Sequence, residues 1–126
     1  MFQFFQYMIR FRKEHRILRT DLSGGCWGFP DYSFYGVDGP RYSFSDHDHY
    51  VGILFAGGER GVGPQLVYVA SNAWWEELHI HLPELPASAG WSLAADTWDE
   101  TPPTSLTPVG NWITIRPRSV MVFVGR

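Results

Sequence analysis

The chain has one cysteine, Cys26. An internal disulfide is therefore impossible, which fits a reducing compartment and points to the cytoplasm. No stretch approaches the ~20 consecutive apolar residues that cross a bilayer. The N-terminus is aromatic and Arg-bearing, without the basic-then-apolar order of a secretion signal. A basic excess is lacking too: Lys and Arg number 10 against 13 Asp and Glu, for a net charge of −3. That balance supplies no field for nucleic acid. Positive charge gathers only at the start, in Arg10, Arg12, Lys13, Arg16 and Arg19, where it suits the C-terminal half of a helix dipole better than a membrane surface. A phosphate loop is also missing. The run Gly57-Gly58-Glu59-Arg60-Gly61-Val62-Gly63 joins two strands instead of opening a helix, and it reads as a flexible hairpin turn.

Apolar side chains, by contrast, are plentiful at 44%, against 18% charged. This is enough to offset the backbone entropy of folding, and 126 residues suit a single domain. Phe2 to Arg19 contain no Gly or Pro, and Phe4, Met8, Phe11, His15 and Leu18 follow a helical stripe. Phe2, Phe5 and Ile9 widen that stripe beyond what one packing partner requires, so the helix expects two neighbours. Trp27 to His49, rich in Gly, Pro, Asp and Ser, reads as a long ordered loop. Six short strands follow, at Tyr50 to Ala56, Gln65 to Ala70, Trp75 to Leu82, Trp91 to Thr97, Trp112 to Arg116 and Ser119 to Val124. With no helical pattern between them, they predict an all-β fold: an antiparallel β-sandwich of Greek-key type with one N-terminal α-helix. Leu78, Ile80 and Leu82 alternate with Glu77, His79 and His81, giving one buried and one wet face. Tyr50 to Phe55, Leu66 to Val69 and Val120 to Val124 are apolar on both faces, so these strands are central or covered by something besides the second sheet.

Few constellations carry chemistry. Asp46-His47-Asp48-His49 and the alternate pair His79 and His81 are the metal candidates. Pro83 separates the pair from Glu84, and no later histidine completes a ligand set, so a solvated strand face is the better reading and neither metal nor cofactor is expected. Cys26 has no basic partner in sequence to activate it. Asp38, Asp46, Asp96 and Asp99 show no spacing that selects an acid–base pair. The aromatic excess is more informative, because an indole facing outward from a sandwich can stack on the C–H face of a sugar. Strand parity places Trp75 and Trp112 outward, with Trp98 near the end of its strand, and Trp74 inward. Trp75, Trp98 and Trp112 are thus candidate carbohydrate-binding residues, unless they cover the helix or a neighbouring domain.

Several segments, in order, resemble a known family. Phe11-Arg12-Lys13-Glu14-His15-Arg16-Ile17-Leu18-Arg19 resembles the end of the last barrel helix in the α-amylase superfamily of glycoside hydrolases. Tyr35-Gly36-Val37-Asp38-Gly39-Pro40 with Tyr42-Ser43 resembles the following stretch in the isoamylase-type glycogen-debranching branch. Val67-Tyr68-Val69-Ala70-Ser71-Asn72-Ala73, Trp75-Glu76, Leu82-Pro83-Glu84-Leu85-Pro86, Trp91, Asp96-Thr97 and Pro117-Arg118-Ser119-Val120 continue in that order. The resemblance implies that residues 1–20 are the last helix of a catalytic barrel and that residues 21–126 are the C-terminal β-sandwich domain. The parent enzyme would cleave α-1,6 branch linkages of glycogen by a retaining two-carboxylate mechanism. The family's catalytic residues belong to the barrel, whose motifs do not occur here, so this chain is expected to be non-catalytic. Its expected role is to brace that barrel, with α-glucan as a further partner. A free-standing carbohydrate-binding module is the alternative. In either case Phe2, Phe4, Phe5, Met8 and Ile9 form the surface expected to meet the barrel or, through a homodimer, a second copy.

Overall fold

A computed structural model of the chain describes residues 2–14, 29, 32–36, 49–59, 63–86, 89–98 and 107–125. One helix, α1 (Phe2–Glu14), is followed by eight strands: β1 (Tyr32–Tyr35), β2 (Tyr50–Glu59), β3 (Gly63–Asn72), β4 (Leu78–His81), β5 (Trp91–Asp96), β6 (Thr107–Val109), β7 (Trp112–Ile115) and β8 (Ser119–Gly125). Arg12 and Lys13 occupy the last turn of α1, facing the negative end of its dipole. The expected stripe residues His15 and Leu18 lie outside the described residues.

The strands differ from the sequence expectation at several points, and Gly57 to Glu59 and Gly63, expected as part of a hairpin turn, instead extend β2 and β3. The segment expected as a loop from Trp27 to His49 contains β1, because Tyr32 to Tyr35 pair antiparallel with Phe55 to Gly52 of β2 and gain from that partner what their Gly- and Pro-rich surroundings do not supply. The third expected strand begins at Leu78 and not at Trp75, because residues 74–76 bend. An additional strand, β6, forms at a sheet edge, where Pro108 can be accommodated despite its missing N–H.

The strands make a six-stranded sheet of order β1-β2-β3-β8-β5-β6 and a two-stranded sheet of β4 and β7. Each pairing is antiparallel. Insertion of β8 between β3 and β5, after the chain has passed through the small sheet, is the kind of crossover that Greek-key sandwiches use. One face of the large sheet meets the small one. Leu54, Leu66, Tyr68, Trp91 and Phe123 pack there against Ile80, Leu82 and Ile115, all essentially inaccessible to water. Each such side chain contributes about 1.5–3 kcal/mol by burial. Tyr68 sits centrally, with ring centroids 5.7 Å from Tyr35, 6.0 Å from Trp91 and 6.4 Å from Phe123. Its hydroxyl shares a 2.6 Å hydrogen bond with that of Tyr50, and the Trp91 indole N–H donates to the Pro83 carbonyl at 2.8 Å. These bonds give the Tyr50, Tyr68 and Trp91 polar groups partners within the core. Position 52 must be glycine, since a Cβ there would overlap the Tyr68 hydroxyl.

The opposite face of the large sheet carries α1. Phe11 is buried against Val67, Val122, Val124, Ala94 and Ala95, with Tyr7, Met8, Phe55 and Val69 around them. A bulge between Leu93 and Ala95 leaves Ala94 without a partner on β8. Both alanines therefore belong to the helix side, where their small size gives the helix a close seat. The Tyr7 hydroxyl donates to the Ala94 carbonyl at 2.7 Å. The doubly apolar strands are accordingly central and are covered by the helix as well as by the small sheet. Cover is incomplete toward β1. Tyr32 and Phe34 stand opposite Phe55 and Ile53, and directly paired residues share a face, so they belong to the helix-bearing side. They are 61% and 40% exposed. Among the described residues no helix is long and apolar enough to cross a membrane.

Candidate functional site

Where β3 ends, Asn72 is buried and all of its side-chain polarity is used. Its amide N–H groups donate to the carbonyls of Glu76 (3.0 Å) and Arg116 (3.1 Å), and its Oδ1 accepts from the Trp74 N–H at 2.9 Å. This turns the chain sharply between β3 and β4. The period-two alternation of β4 therefore does not extend back to the tryptophans, and Trp74 does not enter the core as expected. It is half-buried, stacked on His49 at 4.0 Å and edge-on to Trp75 at 5.4 Å. Trp75 stands outward, 67% exposed.

Two further turns converge on Trp75. After β5, an Asp96 carboxylate oxygen accepts from the Trp98 N–H at 2.9 Å. Thr97 is tied to β8 twice: its N–H donates to the Val120 carbonyl at 2.9 Å, and its Oγ1 accepts from the Val120 N–H at 2.8 Å. Trp98 is 54% exposed, with the Arg116 guanidinium 5.2 Å above its ring. In the β7–β8 turn, Arg118 adopts a left-handed backbone with φ of 49°. Its N–H donates to the Trp74 carbonyl at 3.1 Å, and the Ser119 hydroxyl donates to the Arg116 carbonyl at 2.8 Å. Together these turns enclose an open groove of about 500 Å³, lined by Trp75, Thr97, Trp98, Pro117 and Arg118.

The three tryptophans expected to act together do not form one site. Trp75 and Trp98 share the groove. Trp112, 67% exposed, lies at the start of β7 against His81, with ring centroids 4.7 Å apart. Arg116 stands four positions further along the chain, or roughly 13 Å at ~3.3 Å per residue. Thr97, Pro117 and Arg118 are groove residues that the sequence reading did not single out. The Asp96-Thr97-Trp98 run, in which an Asp can hold the N–H two residues on, was the available signal.

His79 and His81 do share the outer face of β4, but each has another partner: His79 Nδ1 bonds the Thr114 hydroxyl at 2.9 Å, and His81 meets Trp112. No group of three or more potential metal ligands occurs among the described residues. Cys26, Asp38, Asp99 and the run from Asp46 to Asp48 lie outside them. Of the surface expected to meet a barrel or a second copy, Met8 is half-buried against the sheet and Ile9 is 56% exposed. The side chains of Phe2, Phe4 and Phe5 fall outside what the structure describes. Comparison of the chain with protein-family models and with curated proteins finds no match.

Proposed function

We propose that this chain is a non-catalytic accessory domain that braces the catalytic barrel of a glycogen-debranching glycoside hydrolase. The observation that carries the reading is the half-covered face of the six-stranded sheet. Helix α1 seals the part over β3, β8 and β5, while Tyr32 and Phe34 of β1 continue the same apolar face into solvent beside it. Ile9 adds an exposed aliphatic side chain on the helix itself. A Tyr or Phe ring buries ~150–250 Å² when covered, and with Tyr32 61% and Phe34 40% exposed the area still open on this sheet face favours a second body of protein there. The ordered resemblance to isoamylase-type enzymes supports a barrel as that body, with α1 as the element shared between the two. In such a parent, hydrolysis of the α-1,6 linkage would be the work of two barrel carboxylates, and this domain would contribute stability and placement.

Co-expression with the barrel of an isoamylase-type debranching enzyme lacking its own C-terminal domain tests this. The two chains are expected to co-purify and to raise the barrel's melting temperature, and the double variant Tyr32→Ser/Phe34→Ser is expected to abolish both effects. Absence of association, or association indifferent to the double variant, would remove the reading's support.

A further inference from the structure

We infer that the groove between Trp75 and Trp98 is a binding site for a neutral oligosaccharide, which seats sugar rings on the two indoles. The inference does not depend on the barrel reading, since the groove is formed by the β3–β4, β5–β6 and β7–β8 turns and the apolar strip by β1.

Two features separate this groove from incidental exposure. The first is that its exposed indoles sit on backbone held in place. Asn72 ties the Trp75 turn to the carbonyls of Glu76 and Arg116. Asp96 holds the Trp98 N–H, and Thr97 is bonded to Val120 in both directions. The Arg118 N–H closes the ring of contacts onto the Trp74 carbonyl. Such a frame loses little conformational freedom when a ligand arrives, and that loss is what ordinarily weakens binding at exposed loops. The second is the mixture of surfaces. Two flat indole faces offer apolar area with a negative quadrupole, which suits the polarised C–H groups on one side of a pyranose ring. Around them stand the Arg118 guanidinium, a pure donor, and the Thr97 hydroxyl, whose oxygen accepts from Val120 while its O–H remains able to donate. A sugar ring presents an apolar face and a rim of hydroxyls that donate and accept, so both surfaces are used at once.

The volume of about 500 Å³ lies within the ~300–1,000 Å³ range of small-molecule sites. The groove's openness suits a chain passing across it rather than a single enclosed sugar. The Arg116 guanidinium lies over the Trp98 ring, 5.2 Å from its centroid. A proline-rich peptide is the competing occupant, because it too packs on aromatic grooves. Its backbone carbonyls could accept from Arg118 and Thr97 as sugar hydroxyls do, so the titration includes such a peptide as an outcome that overturns the inference.

The test is calorimetric titration of the full chain with maltoheptaose, cellohexaose and a decaproline peptide. Trp75→Ala, Trp98→Ala and Trp112→Ala are compared with the unaltered protein. All three indoles are exposed, so each variant is expected to fold, and circular dichroism verifies this. Saturable binding of at least one of the two sugars is expected. It should weaken about tenfold or more, equivalent to ~1.4 kcal/mol, in Trp75→Ala and in Trp98→Ala, and remain unchanged in Trp112→Ala. Binding of neither sugar, binding of decaproline alone, or sugar binding that survives both groove variants would overturn the inference. None of these results bears on the barrel, which is read through Tyr32 and Phe34.

Discussion

The two faces of the six-stranded sheet are built from the same alternating strands and end differently. On one, Tyr68, Trp91 and Phe123 are sealed by Ile80, Leu82 and Ile115 of the small sheet. On the other, α1 packs on Val67, Val122 and Val124, while Tyr32 and Phe34 on the same face stay 61% and 40% exposed. The first face finishes its packing within the described chain. The second has apolar area left over beside an element that already packs on it. On the proposed reading, stability and recognition fall on opposite sides of one sheet, and side chains of the same chemical type do different work according to which side they occupy.

That contrast can be broken by measurement. Phe123→Ala on the sealed face should have the largest effect, a loss of ~3–5 kcal/mol in denaturant unfolding, because the surrounding rings cannot collapse into the space. A loss nearer that of a surface substitution would mean the face is not tightly packed. Next comes alkaline pH. Burial pushes the Tyr50 phenol up to about 12 from 10.0, and it raises Tyr68 as well. The folded state holds these protons more tightly than the unfolded one, so stability should be undiminished below pH 10.0 and fall as the pH climbs toward 12. The slope should approach ~1.4 kcal/mol per pH unit for each phenol still protonated, and Tyr50→Phe should make it shallower.

On the helix-bearing face the effects should shrink. Tyr7→Phe removes the bond to the Ala94 carbonyl and should cost about 1 kcal/mol, seen as faster hydrogen exchange across α1 while the sandwich is unchanged. The smallest change in unfolding, about 1 kcal/mol or less, is expected for Tyr32→Ser/Phe34→Ser. If a second copy pairs through the α1 surface when no barrel is present, Ile9→Ser, at a 56% exposed position, should move sedimentation at high concentration toward monomer. A monomeric unaltered protein under those conditions would remove the self-pairing expectation.

Most of the sandwich was legible because its strands carry their own signal. Leu66 to Ala70 and Val120 to Val124 are β-branched and aromatic runs between turn residues, and their apolarity on both faces correctly implied two covers. β1 was not legible. Four residues hemmed by Pro30, Asp31 and Gly36 look like loop until β2 supplies a ladder. β4 was begun three residues too early because alternation was carried through a bend that depends on Asn72, a residue with no hydrophobic signature. The groove was half legible. Outward tryptophans follow from parity and composition, but that Trp75 and Trp98 line one groove depends on turns held by Asn72 and Asp96, which carry no hydrophobic signature. Trp112 has the same exposure and pattern and belongs elsewhere. Parity reports which way a side chain leaves its strand and says nothing of which end of the sheet it decorates.

The bulge in β5 has a consequence for how the helix is attached. A regular strand would pair Leu93 and its successor with β8 in unbroken step, whereas here Ala94 has no partner on β8 and its carbonyl accepts from Tyr7. The surplus residue at Ala94 takes one peptide out of the ladder and offers it to a different element. A chain one residue shorter at that point would keep the parity of Ala95 and Asp96, and with it the sandwich, but would lose the latch for α1. Attachment of the helix is therefore written into the length of a strand on the far side of the contact, where a single deletion could release it without altering any side chain of the helix.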